Sequence, residues 1–473
     1  MNKIEFPGLI ASFIRKSTEI QDNFICKGVT SNLQEAMDGD IVFYKISEQK
    51  RAKKIFIDRL SKAGKCFLIL NQIPPEINDR PNTISIEISS FPEVEKRILD
   101  IFYPLDKKKL KIVGVTGTNG KTTVVNLARK ISLQMGKRAA SLGTLGYIDE
   151  DGNQELASGN TTPSYIEIRK ILNSIQNRMD VIFMEVSSHA LSQGRLGDIC
   201  FDQCAWTSFS QDHLDYHADM NEYFNAKIKL LNMHLSTDGV CLVPPGERSL
   251  IDKLMDSCPD RIELVATIAE RNLENQLPGH LDTCFNRSNL ELALGICEKL
   301  WNELGEINFK NLRPPKGRFS QINVGDGVVI IDYAHTPDAL ENICSAIRKD
   351  FKRRKFTVLF GCGGNRDRGK RPQMGQVAMK YADRIIVTSD NPRFESPMDI
   401  ISDIVAGMDN KNGVMIIENR KQAILEALGS MSTSEILLLA GKGHEIYQDI
   451  DGKKNKFSEF DIVNEFKKSC SNG

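Results

Sequence analysis

The 473 residues exceed what one hydrophobic core organises, and about three domains are expected. Hydrophobic residues make up 41% and charged residues 26%, a composition that excludes wholesale disorder. Lys and Arg together number 62, as do Asp and Glu, so no global field recruits nucleic acid or an anionic membrane, and small-molecule partners are expected.

The first block, residues 1–106, contains short strand-like runs at Ile41–Tyr44, Cys66–Leu70 and Ile84–Ile88, punctuated by Pro74, Pro75 and Pro81. Asp106-Lys107-Lys108-Lys109 reads as a solvated linker. The second block, 107–313, opens on the apolar run Leu110, Ile112, Val113, followed by V-T-G-T-N-G-K-T-T at 115–123 and a helix patterned Val124, Leu127, Ala128, Ile131, Met135. The unalternated strand Val181–Met184, ending at Glu185, suits a parallel sheet buried on both faces. Helices are expected at Tyr165–Asn173, Met220–Leu235 and Leu290–Leu304, the second opened by Asp219 and Glu222 in the manner of a capping box.

Arg313-Pro314-Pro315-Lys316-Gly317 breaks the pattern as a hinge. The third block, 314–473, alternates strands (Val328–Ile331, Phe356–Phe360, Arg384–Thr388, Val414–Ile417, Ile436–Leu439) with helical stretches. Thr336 as N-cap with Pro337 at the first helical position marks one helix start. The fold class is therefore α/β in three domains: a small N-terminal α/β domain, a central phosphate-loop domain with a parallel sheet, and a C-terminal Rossmann-like domain. Ligands are expected at the carboxyl ends of the strands.

Eleven cysteines occur without a C-x-x-C pair, which argues for reduced thiols in a cytoplasmic protein. Cys200, Cys204, His280 and Cys284 have spacings unlike the usual zinc patterns and read better as packed thiols. No segment is apolar and long enough to span a bilayer.

The chemistry begins at the Gly-rich turn. A strand, a Gly-rich turn and a helix aim backbone N–H groups and a helix N-terminus at phosphate. Gly117, Thr118, Asn119, Gly120, Lys121, Thr122 and Thr123 form this turn, with Lys121 as countercharge and the Thr122 hydroxyl as a Mg²⁺ ligand. A strict phosphate-loop pattern places glycine where Val115 stands, with Gly114 one place off. A merely Gly-rich loop does not account for Gly120-Lys121-Thr122 opening a helix. Glu185, at the end of a buried strand, is a natural second Mg²⁺ ligand. Ser210 to His217 packs two histidines and two aspartates just before the helix that contains Lys227, more than surface solvation needs.

In chain order, G-V-T-G-T-N-G-K-T-T (114–123), N-T-T-P (160–163), E-V-S-S-H (185–189), D-H-L-D-Y-H (212–217), D-Y-A-H-T-P (332–337) and G-K-G-H-E (441–445) together resemble the Mur ligases, ATP-dependent amide-bond ligases of peptidoglycan precursor synthesis. The pattern is nearest to the branch that adds the third amino acid to UDP-N-acetylmuramoyl-L-alanyl-D-glutamate. The resemblance covers the second and third blocks nearly throughout. It implies ATP, about two Mg²⁺ ions held by Thr122, Glu185 and His213, and a CO₂-derived carbamate on Lys227 as an anionic metal ligand. Lys121 would meet charge on the transferring phosphoryl. Asn286 and Asn289 stand at positions near adenine, and Arg318 and Asp332 at ATP contacts from the third block. Asn160, Thr161, Thr162, Ser187, Gln193 and Arg195 match muramoyl-peptide contacts, and His335 is a further substrate contact.

Asp390-Asn391-Pro392-Arg393 resembles the signature of the meso-diaminopimelate-adding members. Arg393 can fork onto the second carboxylate, which lysine lacks, and a site built for that group rejects the analogue without it. Arg366, Gly441 and Glu445 match the remaining contacts, Glu445 suiting the distal ammonium. The chain departs from the family at Asn365 and Arg368, where Asp and Lys are usual. It departs most in the first block, where Thr30-Ser31-Asn32 stands further from Gly39-Asp40-Ile41 than the family's uridine-binding turn; Ser31 and Asn32 are the uridine positions it leaves.

The resemblance implies a monomer acting on UDP-N-acetylmuramoyl-L-alanyl-D-glutamate, meso-diaminopimelate and ATP, without nucleic acid or membrane. Alternatives are a ligase using L-lysine or a non-muramoyl acceptor, as folylpolyglutamate and cyanophycin synthetases do, and a non-catalytic nucleotide-binding homologue. The last predicts loss of Lys121, Glu185, His213 or Lys227, and all four are present. A phosphate-loop motor or switch needs a switch-like segment that the chain does not display.

Overall fold

A computed structural model describes residues 10–21, 24–155, 160–409, 413–432 and 434–471. The first sheet contains β1 (Ile14–Ser17), β2 (Gly28–Thr30), β3 (Asp40–Tyr44), β4 (Phe67–Leu70) and β5 (Thr83–Ile86) in the order β1-β5-β4-β3-β2, with β1 antiparallel and the rest parallel. The expected strand to Ile88 stops at Ile86, because the chain turns through Ile88–Ser90 into the helix Phe91–Phe102.

The second sheet comprises β6 (Lys111–Thr116), β7 (Ala139–Gly143), β8 (Gly146–Ile148), β9 (Gln154–Glu155), β10 (Val181–Glu185), β11 (Gln203–Trp206), β12 (Cys241–Val243) and β13 (Ile262–Leu264). Their order is β13-β12-β11-β6-β10-β7-β8-β9, with β8 and β9 antiparallel at one edge. Val181, Ile182, Phe183 and Met184 of β10 are fully buried, as the unbroken apolar run requires. Each such side chain contributes about 1.5–3 kcal/mol by leaving water.

The third sheet consists of β14 (Ser320–Val324), β15 (Gly327–Asp332), β16 (Phe356–Phe360), β17 (Arg384–Val387), β18 (Val414–Ile416) and β19 (Ile436–Ala440) in the order β14-β15-β19-β16-β17-β18. All neighbours are parallel except β14, an antiparallel edge strand absent from the sequence reading. Its alternating half-buried and exposed residues produce no continuous apolar run. A hairpin of β20 (Tyr447–Ile450) and β21 (Lys453–Lys456) follows.

Helix ends moved where local signals were weak. The helix from Met220 is α-helical to Lys229 and ends in a π-turn at Leu230–His234, and the helix expected at Leu290–Leu304 runs Cys284–Trp301. Contrary to expectation, Asp219 and Glu222 do not form a reciprocal capping box. Asp219 accepts from the N–H groups of Asn221 and Glu222, but the Glu222 carboxylate reaches past Asp219 to the Ala218 N–H at 2.6 Å. The reciprocal box occurs instead at Ser164 and Glu167. Thr336 caps its helix as expected, accepting from the Ala339 N–H at 3.2 Å.

The first two sheets are pinned by Arg169, whose side chain is 2% exposed. Its guanidinium meets Asp100 at 2.8 Å and Asp198 at 3.1 Å and donates to the Tyr103 carbonyl. Among the described residues, no helix is long and apolar enough to cross a membrane.

Candidate active site

Both larger sheets end their parallel strands at one cleft. β6 lies between β10 and β11, with Glu185 beside Val115 and Trp206 beside Thr116. The Gly-rich turn, Glu185 and the segment from Thr207 to Asp212 therefore emerge together. Gly117 has φ +141°, and a Cβ there would collide with Thr207 Oγ1, so only glycine lets the turn pass this close.

Lys121 and Lys227, far apart in the second block, converge on one acceptor: each Nζ donates to the Gly117 carbonyl at 2.8 Å. Lys121 also donates to the Thr118 carbonyl at 2.8 Å. Burial, and then the Lys121 charge, hold the Lys227 amine well below the ordinary lysine range. Burial likewise lowers Lys121, against the opposing pull of Glu185 and Asp212. Tyr223 backs this pair: its hydroxyl lies 3.3 Å from Thr118 Oγ1 and its ring under Lys227 Nζ.

The Thr122 hydroxyl donates to Glu185 Oε2 at 2.9 Å and accepts from Arg318 Nη2 at 3.1 Å. One hydroxyl thus links the second and third sheets. Glu185 further accepts from the Thr144 N–H at 2.9 Å and the Thr144 hydroxyl at 3.1 Å. His213 stands in the left-handed region at φ +56°, its ring 4.7 Å from that of His189. Burial pushes its imidazole down to about 3, so a neutral ring nitrogen is available to a metal. Burial raises Asp212, but His213, Lys370 and His335 around it outweigh this and hold it below the usual carboxylate range.

The hard oxygens of Thr122 and Glu185, the neutral imidazole and the low-pKa amine fit Mg²⁺ and a carbamate. Among the described residues, no three His, Cys, Asp or Glu side chains form a metal-holding group. Of the three thiols expected to be packed, Cys204 is buried, Cys200 is half-buried and Cys284 is exposed, which corrects that expectation for Cys284.

Asn286 is buried and donates to the His280 carbonyl at 2.8 Å, while Asn289 abuts Gly120. Asp332 accepts from the N–H groups of Phe319 and Ala334 at 2.7 Å each, and burial raises its pKa. Asn119 donates to Asp338 at 2.8 Å, and Lys370 meets Asp212 at 3.5 Å; these cross-sheet partners were not foreseen. Lys370 was signalled only by its place in Gly369-Lys370-Arg371, and Asp338 by nothing local.

Thr162 donates to the Glu185 carbonyl at 2.9 Å and accepts from the Ser187 N–H at 3.0 Å. Arg195 donates to the Thr162 carbonyl at 3.0 Å and to Gln193. The Thr161 hydroxyl accepts from Thr144 at 3.2 Å, and Asn160 is exposed. Ser31 reaches Ser164 Oγ across the seam at 3.3 Å, whereas Asn32 bonds within its own turn to Gln34 and Glu35.

His335 lies 4.0 Å from Asp212, and its imidazole is pushed down to about 4, mainly by burial. Arg366 stands 3.5 Å from Asp215. After β17, Asn391 donates to Glu445 Oε2 at 2.9 Å, and Arg393, at φ +53°, donates to the Gly364 carbonyl at 2.7 Å. Pro392 and Gly441 shape the two turns that carry these side chains, Gly441 at φ +112° against Asp390.

Known proteins match along the same lines. The Mur ligase middle domain matches residues 115–295, and the Mur ligase, glutamate ligase domain matches residues 317–443. The chain is 34% identical over 463 residues to the UDP-N-acetylmuramoyl-L-alanyl-D-glutamate--2,6-diaminopimelate ligase of Aquifex aeolicus (strain VF5), covering 93% of each. A solved structure of a ligase of that name superposes with a TM-score of 0.54 at 26% identity, over 94% of this chain and 95% of that one. MurF ligase from Thermotoga maritima in complex with ADP shares the fold at 14% identity and a TM-score of 0.58, over 95% and 99%. A chain with both domain signatures, and with such identity over nearly its full length, belongs to the Mur ligase family.

Proposed function

We propose that the chain is an ATP-dependent amide-bond ligase that adds meso-diaminopimelate to UDP-N-acetylmuramoyl-L-alanyl-D-glutamate. The observation that carries the reading is the Thr122 hydroxyl held between Glu185 and Arg318, which makes one phosphate site out of two domains. The diaminopimelate specificity rests on Asp390-Asn391-Pro392-Arg393 and on the relatives' names. Domain divisions after residues 106 and 313 fit the separation of the three sheets.

A free carboxylate cannot lose oxide to an amine, so it first attacks the γ-phosphorus of ATP and ADP leaves. The amine then attacks the acyl phosphate, and the tetrahedral intermediate expels phosphate as the amine's proton is lost. The Gly-rich turn from Gly117 to Thr123 cradles the phosphates, Lys121 and Arg318 countering their charge. Asn286 and Asn289 lie on the adenine side, and Asp332 is a further nucleotide contact from the third domain. Thr122, Glu185, His213 and a carbamylated Lys227 would hold Mg²⁺, which supplies charge neutralisation on the transferring phosphoryl. A neutral amine is what CO₂ requires, and burial, then the Lys121 charge, shift Lys227 in that direction. Ser31, Asn32, Asn160, Thr161, Thr162, Ser187, Gln193 and Arg195 line the acceptor side. His335, Arg366, Arg393, Gly441 and Glu445 line the amino-acid side.

Phosphate release should require ATP, the muramoyl dipeptide and diaminopimelate together. Turnover with L-lysine at comparable kcat/KM would refute the specificity, and no turnover with either, from protein that binds ATP, would refute the acceptor.

A further inference from the structure

At the ends of β17 and β19, Lys442 is a buried ammonium with 0% of its side chain exposed and no place in the reaction described above. Its Nζ donates to Glu445 Oε2 at 2.6 Å and to Asn391 Oδ1 at 2.8 Å, and it stands 4.0 Å from Asp390. The Glu445 N–H donates to the Lys442 carbonyl at 2.9 Å, so both side chains leave one tight turn. Asn391 Oδ1 receives a second donor, the Asp449 N–H at 2.9 Å, while Asn391 Nδ2 donates to Glu445 Oε2 at 2.9 Å. Two donors on one end and a carboxylate on the other allow the amide a single orientation.

These bonds have a consequence for Glu445. Oε2 is engaged twice, by Lys442 and Asn391, whereas Oε1 has no protein hydrogen-bond donor among the described residues. Asn391, with its carbonyl oxygen doubly engaged, acts as a brace and not as an acceptor for a ligand ammonium. We infer that Lys442 is the positioning residue of the amino-acid site: it fixes Asn391 and Glu445 so that the single oxygen Oε1 faces the distal ammonium of the incoming amino acid. The inference rests on the functional reading above. Without Lys442, two carboxylates, Asp390 and Glu445, face each other's field with Arg420 at 4.0 Å from Asp390, and Glu445 keeps only the Asn391 amide to hold it.

The test is steady-state kinetics on the full chain with Lys442→Met, Glu445→Gln and the double variant, measuring KM separately for diaminopimelate, ATP and the muramoyl dipeptide. Lys442→Met should raise KM for diaminopimelate at least tenfold and leave the other two within twofold. The double variant should match Glu445→Gln alone, because a neutral amide at 445 needs no counterion, and residues acting through one group are non-additive. Should Lys442→Met not fold, the double variant relieves the uncompensated carboxylate and gives the same answer. An unchanged diaminopimelate KM in Lys442→Met, a rise in all three KM values together, or a double variant another tenfold worse than Glu445→Gln overturns the inference. Absence of diaminopimelate turnover by the unmutated chain overturns the functional reading, and this inference with it.

Discussion

Arg393 makes the most specific demand on experiment. Its guanidinium has five N–H donors, and Nη1 meets the Gly364 carbonyl at 2.7 Å while Nε stays 4.0 Å from Asp449. Among the described residues no hydrogen bond engages Nη2, the edge that on the proposed function meets a second carboxylate. The side chain is 25% exposed, so the pair it forms is partly screened. Truncating one partner of a buried hydrogen-bonded charge pair costs about 2–5 kcal/mol, and partial exposure places this one near the lower end, about 2–3 kcal/mol. That corresponds to a loss of about 30- to 150-fold in kcat/KM for diaminopimelate. Arg393→Asn is the appropriate variant, because asparagine tolerates the φ of +53° at this position. Phosphate release at saturating ATP and muramoyl dipeptide, with diaminopimelate and L-lysine as rival acceptors, gives both kcat/KM values. The variant should lose diaminopimelate turnover while L-lysine turnover is unchanged, so that discrimination collapses. A variant that still discriminates as the unmutated chain does would show that the second carboxylate is read elsewhere.

Lys227→Ala should lower kcat by about 10²–10³, the effect of deleting one electrostatic stabiliser in a water-poor site, with partial recovery in added short-chain carboxylates; unmutated protein in CO₂-stripped buffer should regain rate on bicarbonate addition, and indifference to bicarbonate would refute the carbamate. Arg420 and Glu459 form a wholly buried pair at 2.8 Å, and Arg420 also donates to the Ser389 and Ala440 carbonyls, which tie the two amino-acid loops together. Arg420→Met should therefore cost about 3–5 kcal/mol in a urea midpoint measurement, since it strands Glu459, and an unshifted midpoint would refute this. His213, His335 and His444 are held down to about 3, 4 and 3, chiefly by burial, against an ordinary 6.5. A depressed imidazole binds its proton in the unfolded chain first, so stability is complete above about pH 6.5 and falls as pH drops toward 4. Melting temperatures between pH 7.5 and 4.5 should decline on that schedule, and a flat profile would contradict the lowered proton affinity of these rings.

The sequence by itself determined the features whose physics is local. The Gly-rich turn announces itself because phosphate needs adjacent N–H groups, and β10, β16 and β19 because strands buried on both faces are apolar at nearly every position. Thr336 was legible as a cap because its partner is three residues away. Local signals failed where a neighbour offered a better bond, as at Glu222, which reaches Ala218, and where an edge strand is only half buried, as at β14.

Only the tertiary structure decided which groups meet. Lys227 finds the Gly117 carbonyl across 110 residues, Asn119 finds Asp338 across 219, and Thr122 finds Arg318 across 196. Those meetings follow from strand order and from how the third sheet docks on the second, neither of which has a periodicity to read. The proton affinities follow as well: those of Lys227 and His213 are lowered because packing removes water from them, and no residue adjacent in the chain could show that.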